Sequence, residues 1–477
     1  MGLKKNVVYS GILTTSLYVF QFITYPYVAR VLGVTNIGIC NFAQSIVLYF
    51  SLFALLGTSA LGVREIAKCK GDKQKQESVF SGILQLNILL MFLVVFAYLL
   101  AIELVPQLSA YRKLLYIGVF QIISNAFTIE WFFRGMEDFR YITLRTCLVR
   151  VLYVFSIFLF VRTESDYALY FFITVGLYVL NGLINWIYGR RFVRFKWYPV
   201  RSVIRQYMRP MCLLGAQSIL TTMYTSFNIV YLGFVANDDQ VGYYITATKI
   251  QGIILSLYTA FTMAMMPRVS AMLAEDDQEN VRKLINASFS LLCAFAFPVI
   301  IFTEIFAPEI IRIIAGAGYE ESIGLLRIAM PLILVIGLEQ ILIVQLLIPA
   351  RADKAISVNS LIGAAVGISL NILLVGHLQS LGAVVVWIAS ESAVLASAYY
   401  FVRKRMSGIV DHRVLLVYSL SFVPLVAVCW ILRDCFIWAI LATVLYSHLN
   451  LYVVVRDHVY RSFWRHLRLA LFPGKQE

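Results

Sequence analysis

The sequence predicts an all-helical protein that crosses a lipid bilayer about fourteen times, because apolar stretches of about 20 residues recur along it. Hydrophobic residues make up 60% of the 477-residue chain and charged residues only 14%. Soluble domains of this length do not have such a composition. We place the spans at 7–30, 37–60, 79–102, 113–134, 146–162, 168–188, 210–235, 241–266, 284–306, 322–345, 355–375, 381–402, 414–432 and 435–455.

The basic residues lie almost entirely on one side of these spans. If Lys4 and Lys5 are cytoplasmic, the outer segments contain few of the 40 Lys and Arg residues, namely Arg112, Lys113, Arg162, Arg312 and Arg433. Cytoplasmic loops carry the excess of basic residues, so we predict that both termini are cytoplasmic. The net charge of +14 then reflects topology and attraction to anionic lipid headgroups rather than nucleic-acid binding.

A basic connection divides the spans into two sets. Six spans precede it, so a second set of six would start from the same side as a parallel copy of the first. At an offset of 204 residues Gly38 aligns with Gly242, and Arg64 aligns with Arg268. We interpret the connection as an amphipathic helix on the membrane. The predicted organisation is an N-lobe at 1–188, the connection at 189–209, a C-lobe at 210–402, and an extra C-terminal helix pair with a tail at 403–477.

Two matched stripes of polar side chains lie on spans 1 and 7. Residues at helical spacing share one face of a helix, and a polar stripe facing lipid is costly. Each stripe therefore faces protein or a water-filled cavity. Interhelical hydrogen bonding is the alternative for any single residue, but two matched stripes favour a cavity between the lobes. The stripes are Thr14, Tyr18, Gln21 and Thr24 on span 1, and Ser218, Thr222, Thr225 and Asn228 on span 7.

Charged residues within the spans are the strongest candidates for function, because each costs about 2.5–3.5 kcal/mol at the bilayer centre. Arg30 and Arg327 lie near the outer surface and can extend to it, whereas Lys249 and Glu391 lie too deep for that. Cations in a cavity suit a phosphate-containing substrate. Embedded carboxylates can bind a coupling ion or neutralise a cation. The residues considered are Arg30, Arg150, Lys249, Arg327, Glu130, Glu339 and Glu391.

Six motifs, in order along residues 1–402, resemble bacterial polysaccharide flippases of the Wzx type. They are "PYVARVLGVTNIGICNFAQSI" (26–46), "GVREIAK" (62–68), "EWFFRGMEDFRYI" (130–142), "VGYYITATKI" (241–250), "MMPRVS" (265–270) and "LRIAMPLILVIGLEQILIVQLLIPARADK" (326–354). The resemblance implies the fold of the multidrug/oligosaccharidyl-lipid/polysaccharide exporter superfamily, with two six-helix lobes in a V around a central cavity. The last two spans resemble the extra pair of lipid II flippases, which helps to form a groove for the lipid tail.

By this resemblance the substrate is an undecaprenyl-diphosphate-linked oligosaccharide, moved by alternating access from the inner to the outer leaflet of the bacterial cytoplasmic membrane. Expected partners are membrane lipids, a polysaccharide polymerase and glycosyltransferases. We expect no cofactor, and coupling to a proton gradient, a sodium gradient or the membrane potential. The candidate residues are Arg30, Lys249, Gln21, Thr24, Thr225, Asn228 and Arg150 for the substrate cavity, Arg64 and Arg268 for a gate or surface site, and Glu339, Glu391 and Glu130 for ion coupling.

Three alternatives remain. A lipid II flippase would need nearly the same cavity chemistry. An ion-coupled exporter of small cationic drugs on the same fold would need acidic residues in the cavity to bind its substrates. The cavity candidates in this sequence include the basic residues Lys249 and Arg30 instead. A membrane glycosyltransferase or polymerase would need a catalytic domain or a large outer loop, and the longest outer connection is roughly 307–321. The acidic run at 275–279 lacks any surrounding sugar-nucleotide domain, and the cysteines lack metal-ligand spacing, so we predict no catalytic or metal-binding residue.

Overall fold

The computed structural model describes residues 3–406, 408–409, 412–457 and 460–461, and each regular element in these ranges is helical. The predicted all-helical class is therefore confirmed. Eleven helices in the described ranges are long and apolar enough to cross a membrane, or up to 12 if a bent pair within 200–235 forms one span. Two of these helices, Val19–Lys68 and Asp353–Arg405, each cover two predicted spans. The count of about 14 spans stays a prediction.

The first part of the chain is a series of helices joined by short turns. They are α1 (Leu3–Leu55), α2 (Thr58–Lys68), α3 (Lys73–Leu104), α4 (Arg112–Phe127), α5 (Glu130–Gly135), α6 (Phe139–Phe160), α7 (Tyr167–Gly189), α8 (Val200–Val203) and α9 (Arg209–Val235). The first two predicted spans are both part of α1, which breaks at Gly33 with φ of +73°. Only glycine adopts this backbone conformation without strain, so Gly33 permits the break.

The second part continues in the same way. Its helices are α10 (Asp238–Ala274), α11 (Gln278–Ile314), α12 (Glu321–Ala329), α13 (Leu332–Gln340), α14 (Asp353–Leu370), α15 (Gly376–Arg405), α16 (His412–Ile431) and α17 (Phe436–Leu449). A π-helical segment, Ile341–Leu347, extends α13, and another, Asn371–Val375, joins α14 to α15. α15 breaks at Gln379, whose φ of +49° is uncommon for a residue other than glycine.

The chain forms two compact units. Unit 1 comprises residues 1–246, 314–318 and 364–387, and unit 2 comprises residues 247–313, 319–363 and 388–477. These boundaries do not coincide with the predicted lobes, so the division into lobes and the V-shaped arrangement stay predictions.

Unit 1 is held together by long helices that pack along their lengths. α4 packs against α7, and α1 packs against α3, α4, α6 and α9. A buried aromatic cluster includes Phe80 of α3 and Trp131, Phe132 and Phe133 of α5. Tyr207, between α8 and α9, belongs to the same cluster. The basic connection is therefore anchored in the core of unit 1 and is not a free linker.

The part of the connection before α8 is an extended strap, which we define as residues 193–199. These residues have no regular secondary structure, so the predicted amphipathic helix is absent here. The Gln85 side chain exchanges two hydrogen bonds with the backbone of Tyr198, each 2.9 Å long. The backbone N–H of Lys196 donates to the Ser81 hydroxyl at 3.0 Å. Buried polar groups of α3 satisfy the strap's backbone, which explains its fixed course.

Two glycines 204 residues apart make equivalent contacts in unit 1. A Cβ atom at Gly38 would lie 1.8 Å from the carbonyl oxygen of Asp238. A Cβ atom at Gly242 would lie 2.2 Å from the carbonyl oxygen of Val34. Val34 and Asp238 are themselves separated by the repeat offset, so each glycine contacts the residue that corresponds to the other's partner. The parallel repeat itself stays a prediction.

In unit 2 the C-terminal helices form a packed pair. α16 and α17 contact each other, and a buried cluster joins Phe422 and Cys429 of α16 to Cys293 and Phe306 of α11. The Tyr446 hydroxyl of α17 donates to a backbone carbonyl of α16 at 2.6 Å. Large apolar side chains of both helices, including Leu420, Trp430, Ile437 and Trp438, remain exposed. Such a surface is expected where helices face lipid, in agreement with a multi-pass membrane protein.

Candidate functional site

α6 introduces a positive charge into the apolar part of unit 1 through Arg150. This side chain is half-buried and donates to the Ser16 hydroxyl at 2.6 Å and to the Leu13 carbonyl at 3.1 Å. Both acceptors are uncharged, so these contacts orient the guanidinium without neutralising it. A guanidinium keeps its charge in proteins and binds phosphate oxygens in a bidentate way. Arg150, a predicted cavity residue, therefore has the chemistry of an anion-binding group.

A second arginine of α6, Arg145, is neutralised by an acid. Its side chain is 4% exposed and donates to Glu130 at 3.0 Å and to Asn181 at 2.9 Å. The other oxygen of Glu130 accepts two hydrogen bonds from Arg134, at 2.9 and 2.7 Å. Glu130 therefore links α5 to α6 through its ion pair with Arg145, and it forms a second ion pair with Arg134 within α5. These contacts favour a structural role for Glu130, and its assignment to ion coupling stays a prediction.

The sequence reasoning missed Arg145 because it placed the start of span 5 at residue 146. α6 begins earlier, at Phe139, and Asp138 caps it by accepting a hydrogen bond from the Tyr141 N–H at 3.3 Å. An aspartate directly before an apolar periodic segment is a recognised helix-start signal. This signal would have placed Arg145 inside the helix.

Arg30 of α1 is exposed and lies beside a tight turn. Its Cγ atom is 3.2 Å from the position that a Cβ would occupy at Gly316. Gly316 has φ of +92°, so glycine is favoured there for its backbone conformation as well as for space. The glycine allows the Arg30 stem to pass close to the backbone.

The polar stripe of span 1 is only partly described. The side chains of Thr14 and Tyr18 lie outside the described residues. Gln21 is exposed, whereas Thr24 is buried and donates to the Phe20 carbonyl of its own helix at 2.8 Å. Of the two described side chains, Gln21 has the exposure needed to contact a ligand.

The polar stripe of span 7 divides into two parts. The hydroxyls of Ser218, Thr222 and Thr225 each donate to the backbone carbonyl one turn earlier, and Ser218 and Thr225 are exposed. Asn228 is instead buried within unit 1. Its amide donates to the Tyr244 hydroxyl and its oxygen accepts from Asn371 at 2.6 Å. This is the interhelical hydrogen bonding that the sequence left open as the alternative for a single stripe residue, and a contact between Asn228 and substrate stays a prediction.

The remaining cationic candidates lie at different depths of their helices. Lys249 is half-buried in α10, whereas Arg268, near the end of the same helix, is exposed. Arg64 of α2 is also exposed and forms an ion pair with Glu65 at 3.0 Å. Arg327 of α12 donates to the Glu304 carbonyl at 2.8 Å. The exposure of Arg64 and Arg268 suits a surface or gate position better than a position inside a cavity.

Unit 2 contains a pair of buried carboxyl groups. Glu339 of α13 is 9% exposed and Glu391 of α15 is 4% exposed. The two carboxyl groups are close enough to interact. Two carboxylate ions have only acceptor oxygens, so a hydrogen bond between them would require a proton on one of them. The pair therefore has the chemistry of a site that can hold one proton.

Other polar side chains follow Glu339 along the chain. Gln340 donates to the Thr259 hydroxyl at 3.0 Å. Within the described ranges, Oε2 of Glu339 and both side-chain polar atoms of Gln345 are buried without a hydrogen-bond partner in the protein. Buried polar atoms of this kind are usually satisfied by water. In the same ranges no group of three or more His, Cys, Asp or Glu side chains is arranged to hold a metal ion.

Sequence comparison relates this chain to proteins of surface-polysaccharide synthesis. The profile of a family described as "Polysaccharide biosynthesis protein" matches residues 3–273. A protein of Escherichia coli (strain K12) named "Putative O-antigen transporter" is 26% identical over 411 residues, which cover 84% of this chain and 97% of that protein. A Shigella dysenteriae protein of the same name is 22% identical over 367 residues, covering 76% and 91%.

Solved structures of two transporters share the fold. A lipid II flippase, MurJ, in an inward closed conformation has a TM-score of 0.73 at 13% identity, covering 95% of this chain and 98% of its own. An inward-facing multidrug resistance transporter of the MATE family and MOP superfamily has a TM-score of 0.64 at 16% identity, covering 83% and 95%. These likenesses concern the fold, and they confirm the predicted polytopic helical architecture.

Proposed function

This chain belongs to the polysaccharide biosynthesis protein family, and we propose that it flips an undecaprenyl-diphosphate-linked oligosaccharide across the bacterial cytoplasmic membrane. At the coarser level it is a multi-pass membrane transporter of polysaccharide units and not an enzyme, as the family and its named relatives support. The proposal adds the carrier lipid, the direction from inner to outer leaflet, cytoplasmic termini, and alternating access as the mechanism.

The observation that carries the proposal is the charge of Arg150 in α6, held in place by uncharged oxygens of α1. A cation in a membrane span costs about 2.5–3.5 kcal/mol, so it is usually retained for a ligand or partner. A diphosphate offers several anionic oxygens to a guanidinium fork. Arg150 would hold the diphosphate during its passage while the polyprenyl chain stays in lipid.

The other cavity candidates divide between the diphosphate and the sugars. Arg30 and Lys249 are proposed as further contacts to the diphosphate, because both are cationic. Gln21 and Thr225 are exposed and can exchange hydrogen bonds with sugar hydroxyls. Thr24 and Asn228 are buried, so their proposed part is to shape the wall of the cavity.

Residues at the surface complete the proposed route. Arg64 and Arg268 are exposed and matched by the repeat offset, so they are proposed to collect the substrate at the membrane surface or to close the inner gate. A polysaccharide polymerase and glycosyltransferases are the proposed partners, since they would consume and supply the substrate.

The carboxyl pair of unit 2 is proposed as the coupling site. A proton shared between the buried Glu339 and Glu391 would join them by a hydrogen bond, and its release would leave two negative charges in a buried place. Their repulsion would favour a different arrangement of α13 and α15. A hydrogen-bonded carboxyl pair favours a proton over a sodium ion, which would need several oxygen ligands in place of the hydrogen bond.

The test is a leaflet-resolved assay of lipid-linked oligosaccharide in cells that lack the gene. The account expects accumulation in the inner leaflet, corrected by the wild-type protein and by Arg140→Ala, an exposed control on the same helix. Arg150→Ala, present in equal amount, should fail to correct it. Full correction by Arg150→Ala would reject the site. Movement of lipid II with no movement of lipid-linked oligosaccharide would reject the substrate.

A further inference from the structure

A groove opens on the surface of unit 1 between α4 and α7. Its volume is about 330 Å³. The lining is apolar except for the indole N–H of Trp186 at one end and for Ser124, whose hydroxyl is already donated to the Gln121 carbonyl of its own helix at 3.0 Å. The groove therefore offers mainly hydrocarbon contact along its wall.

Helical spacing and one glycine create this shape. Phe120, Ile123 and Phe127 of α4 lie three and seven residues apart and share one face. On α7, a Cβ atom at Gly182 would lie 2.9 Å from the Ser124 carbonyl oxygen. The missing side chain lets the two helices meet at the floor of the groove, while the flanking apolar side chains form its walls.

The groove is long and open enough for a lipid chain. Phe120 and Leu183 are 60% and 54% exposed. The seven residues from Phe120 to Phe127 extend about 10 Å along a helix, compared with about 15 Å for the hydrocarbon half of one leaflet. The ring of Phe127 packs against Trp186 at a centroid distance of 5.5 Å, which closes one end. In a membrane, hydrocarbon covers such a surface.

Positive charge lies directly beyond the closed end. Arg190 follows Trp186 by one helical turn, and its N–H donates to the Trp186 carbonyl at 3.2 Å. Arg190 and its neighbour Arg191 are exposed. Within the described part of the chain neither forms an ion pair. The Arg191 guanidinium lies 5.8 Å from the centre of the Tyr188 ring. Both charges are therefore available to an external anion.

The strap makes this basic end rigid. Its backbone is fixed to Ser81 and Gln85 of α3, so the backbone of Arg194 and Lys196 has a defined course, and Lys196 forms an ion pair with Glu77 of α3 at 3.7 Å. Trp197 of the strap is 63% exposed. Exposed tryptophan beside basic residues is typical of the membrane–water interface. The groove thus runs from the hydrocarbon region to an interfacial set of cations.

We propose that the groove between α4 and α7 binds one chain of an anionic phospholipid, whose phosphate contacts Arg190 and Arg191. The apolar wall favours a bilayer lipid over the transported substrate, since the lining offers no free hydroxyl or amide to a sugar. A bound lipid joins α4, α7 and the start of the connection, three parts of unit 1 that are separate in sequence. This site is separate from the α6 arginines of the proposed transport function.

The test uses the full-length protein in nanodiscs of phosphatidylcholine that contain an increasing fraction of brominated-chain phosphatidylglycerol. Bromine quenches tryptophan on contact, and Trp186→Phe isolates the signal of the groove. The account expects saturable quenching at a low mole fraction. Arg190→Gln with Arg191→Gln should raise the half-saturating fraction about tenfold or more, because each basic residue near an anionic surface contributes a factor of about five.

The matched control is Arg403→Gln with Lys404→Gln, two adjacent exposed basic residues at the end of another apolar helix, α15. It should leave the quenching of Trp186 unchanged. Equal quenching by brominated phosphatidylcholine would overturn the proposal, because the groove would then hold bulk lipid. Displacement of the brominated lipid by undecaprenyl diphosphate at a much lower mole fraction would also overturn it, since the groove would then belong to the substrate.

Discussion

The buried charged groups of the two units differ in whether they can gain or lose a proton at physiological pH. On α6 of unit 1 the charges belong to arginines, which keep their protons at any physiological pH. In unit 2 the buried charges belong to carboxyl groups, Glu339 and Glu391, which can gain or lose a proton. In the proposed function, fixed cations hold an anionic substrate, and a removable proton changes the state of the protein.

The contrast within α6 refines this comparison. Arg145 is paired with Glu130, whereas Arg150 donates to a hydroxyl and a carbonyl. The two arginines lie five residues apart on one helix but have different acceptors. The first is suited to hold α5 and α6 together, and the second is suited to bind an anion.

The largest expected effect comes from removing the acid beside Arg145. Glu130→Ala leaves a buried arginine without its partner, and breaking a buried ion pair in this way costs about 3–5 kcal/mol. Because Glu130 is 27% exposed, we expect the lower end of that range. The free energy of unfolding in detergent measures it. Glu137→Ala, at an exposed position nearby, is the control, and equal stability of Glu130→Ala and wild type would refute a structural role for the pair.

Fixed charges should make transport sensitive to the electrical potential. Moving one elementary charge across the membrane with the field releases about 2.3 kcal/mol of free energy per 100 mV. A diphosphate of charge about −2 that moves outward across an inside-negative membrane would therefore release up to about twice that amount. Collapsing the potential in vesicles while the ion gradients are kept should therefore slow flipping. An unchanged rate would reject the electrical contribution.

The switchable pair should make transport sensitive to a pH gradient. One pH unit is worth about 1.4 kcal/mol per proton, an acceleration of at most about tenfold. Glu339→Gln keeps the hydrogen bond but cannot release a proton, so the acceleration should be lost while stability is kept. The rate with and without an imposed gradient at zero potential measures this. Gln278→Glu, at an exposed position in unit 2, is the control, and full acceleration in Glu339→Gln would show that the pair is not the coupling site.

The smallest expected change in stability comes from removing an exposed ion pair, which contrasts with the buried charges. Outside the membrane-spanning helices, the Lys70 ammonium lies 2.8 Å from Glu137, and this hydrogen bond lowers the pKa of the Glu137 carboxyl below its usual value. A lowered pKa in the folded state stabilises the protein at neutral pH, and this contribution is lost as the pH falls through that pKa. The stability difference between wild type and Lys70→Gln should be small at pH 7 and vanish in acid. A difference that grows in acid would contradict this sign.

The helical membrane class could be predicted because its signal, the apolar stretches, is local. Arg150, Glu339 and Glu391 are conspicuous because each is a charge inside an apolar run, and their functional roles stay predictions. Sequence reasoning could not identify Glu391 as the partner of Glu339, because helix packing brings them together from distant parts of the chain. The number of separate helices could not be predicted either. Two long helices each cover two predicted spans, and each is interrupted between those spans at a single residue, Gly33 in one and Gln379 in the other.

The most direct test of the central claim, that a fixed charge on α6 holds the diphosphate, is the affinity of purified protein for undecaprenyl diphosphate. The account predicts that Arg150→Ala binds about 10–100-fold more weakly, since a hydrogen bond to a charged group contributes about 1.5–3 kcal/mol. Arg150→Lys should be intermediate. Ser16→Ala, which removes a contact of Arg150 but no charge, should bind nearly as well as wild type. Equal affinity of Arg150→Ala and wild type, with both proteins folded, would contradict the account.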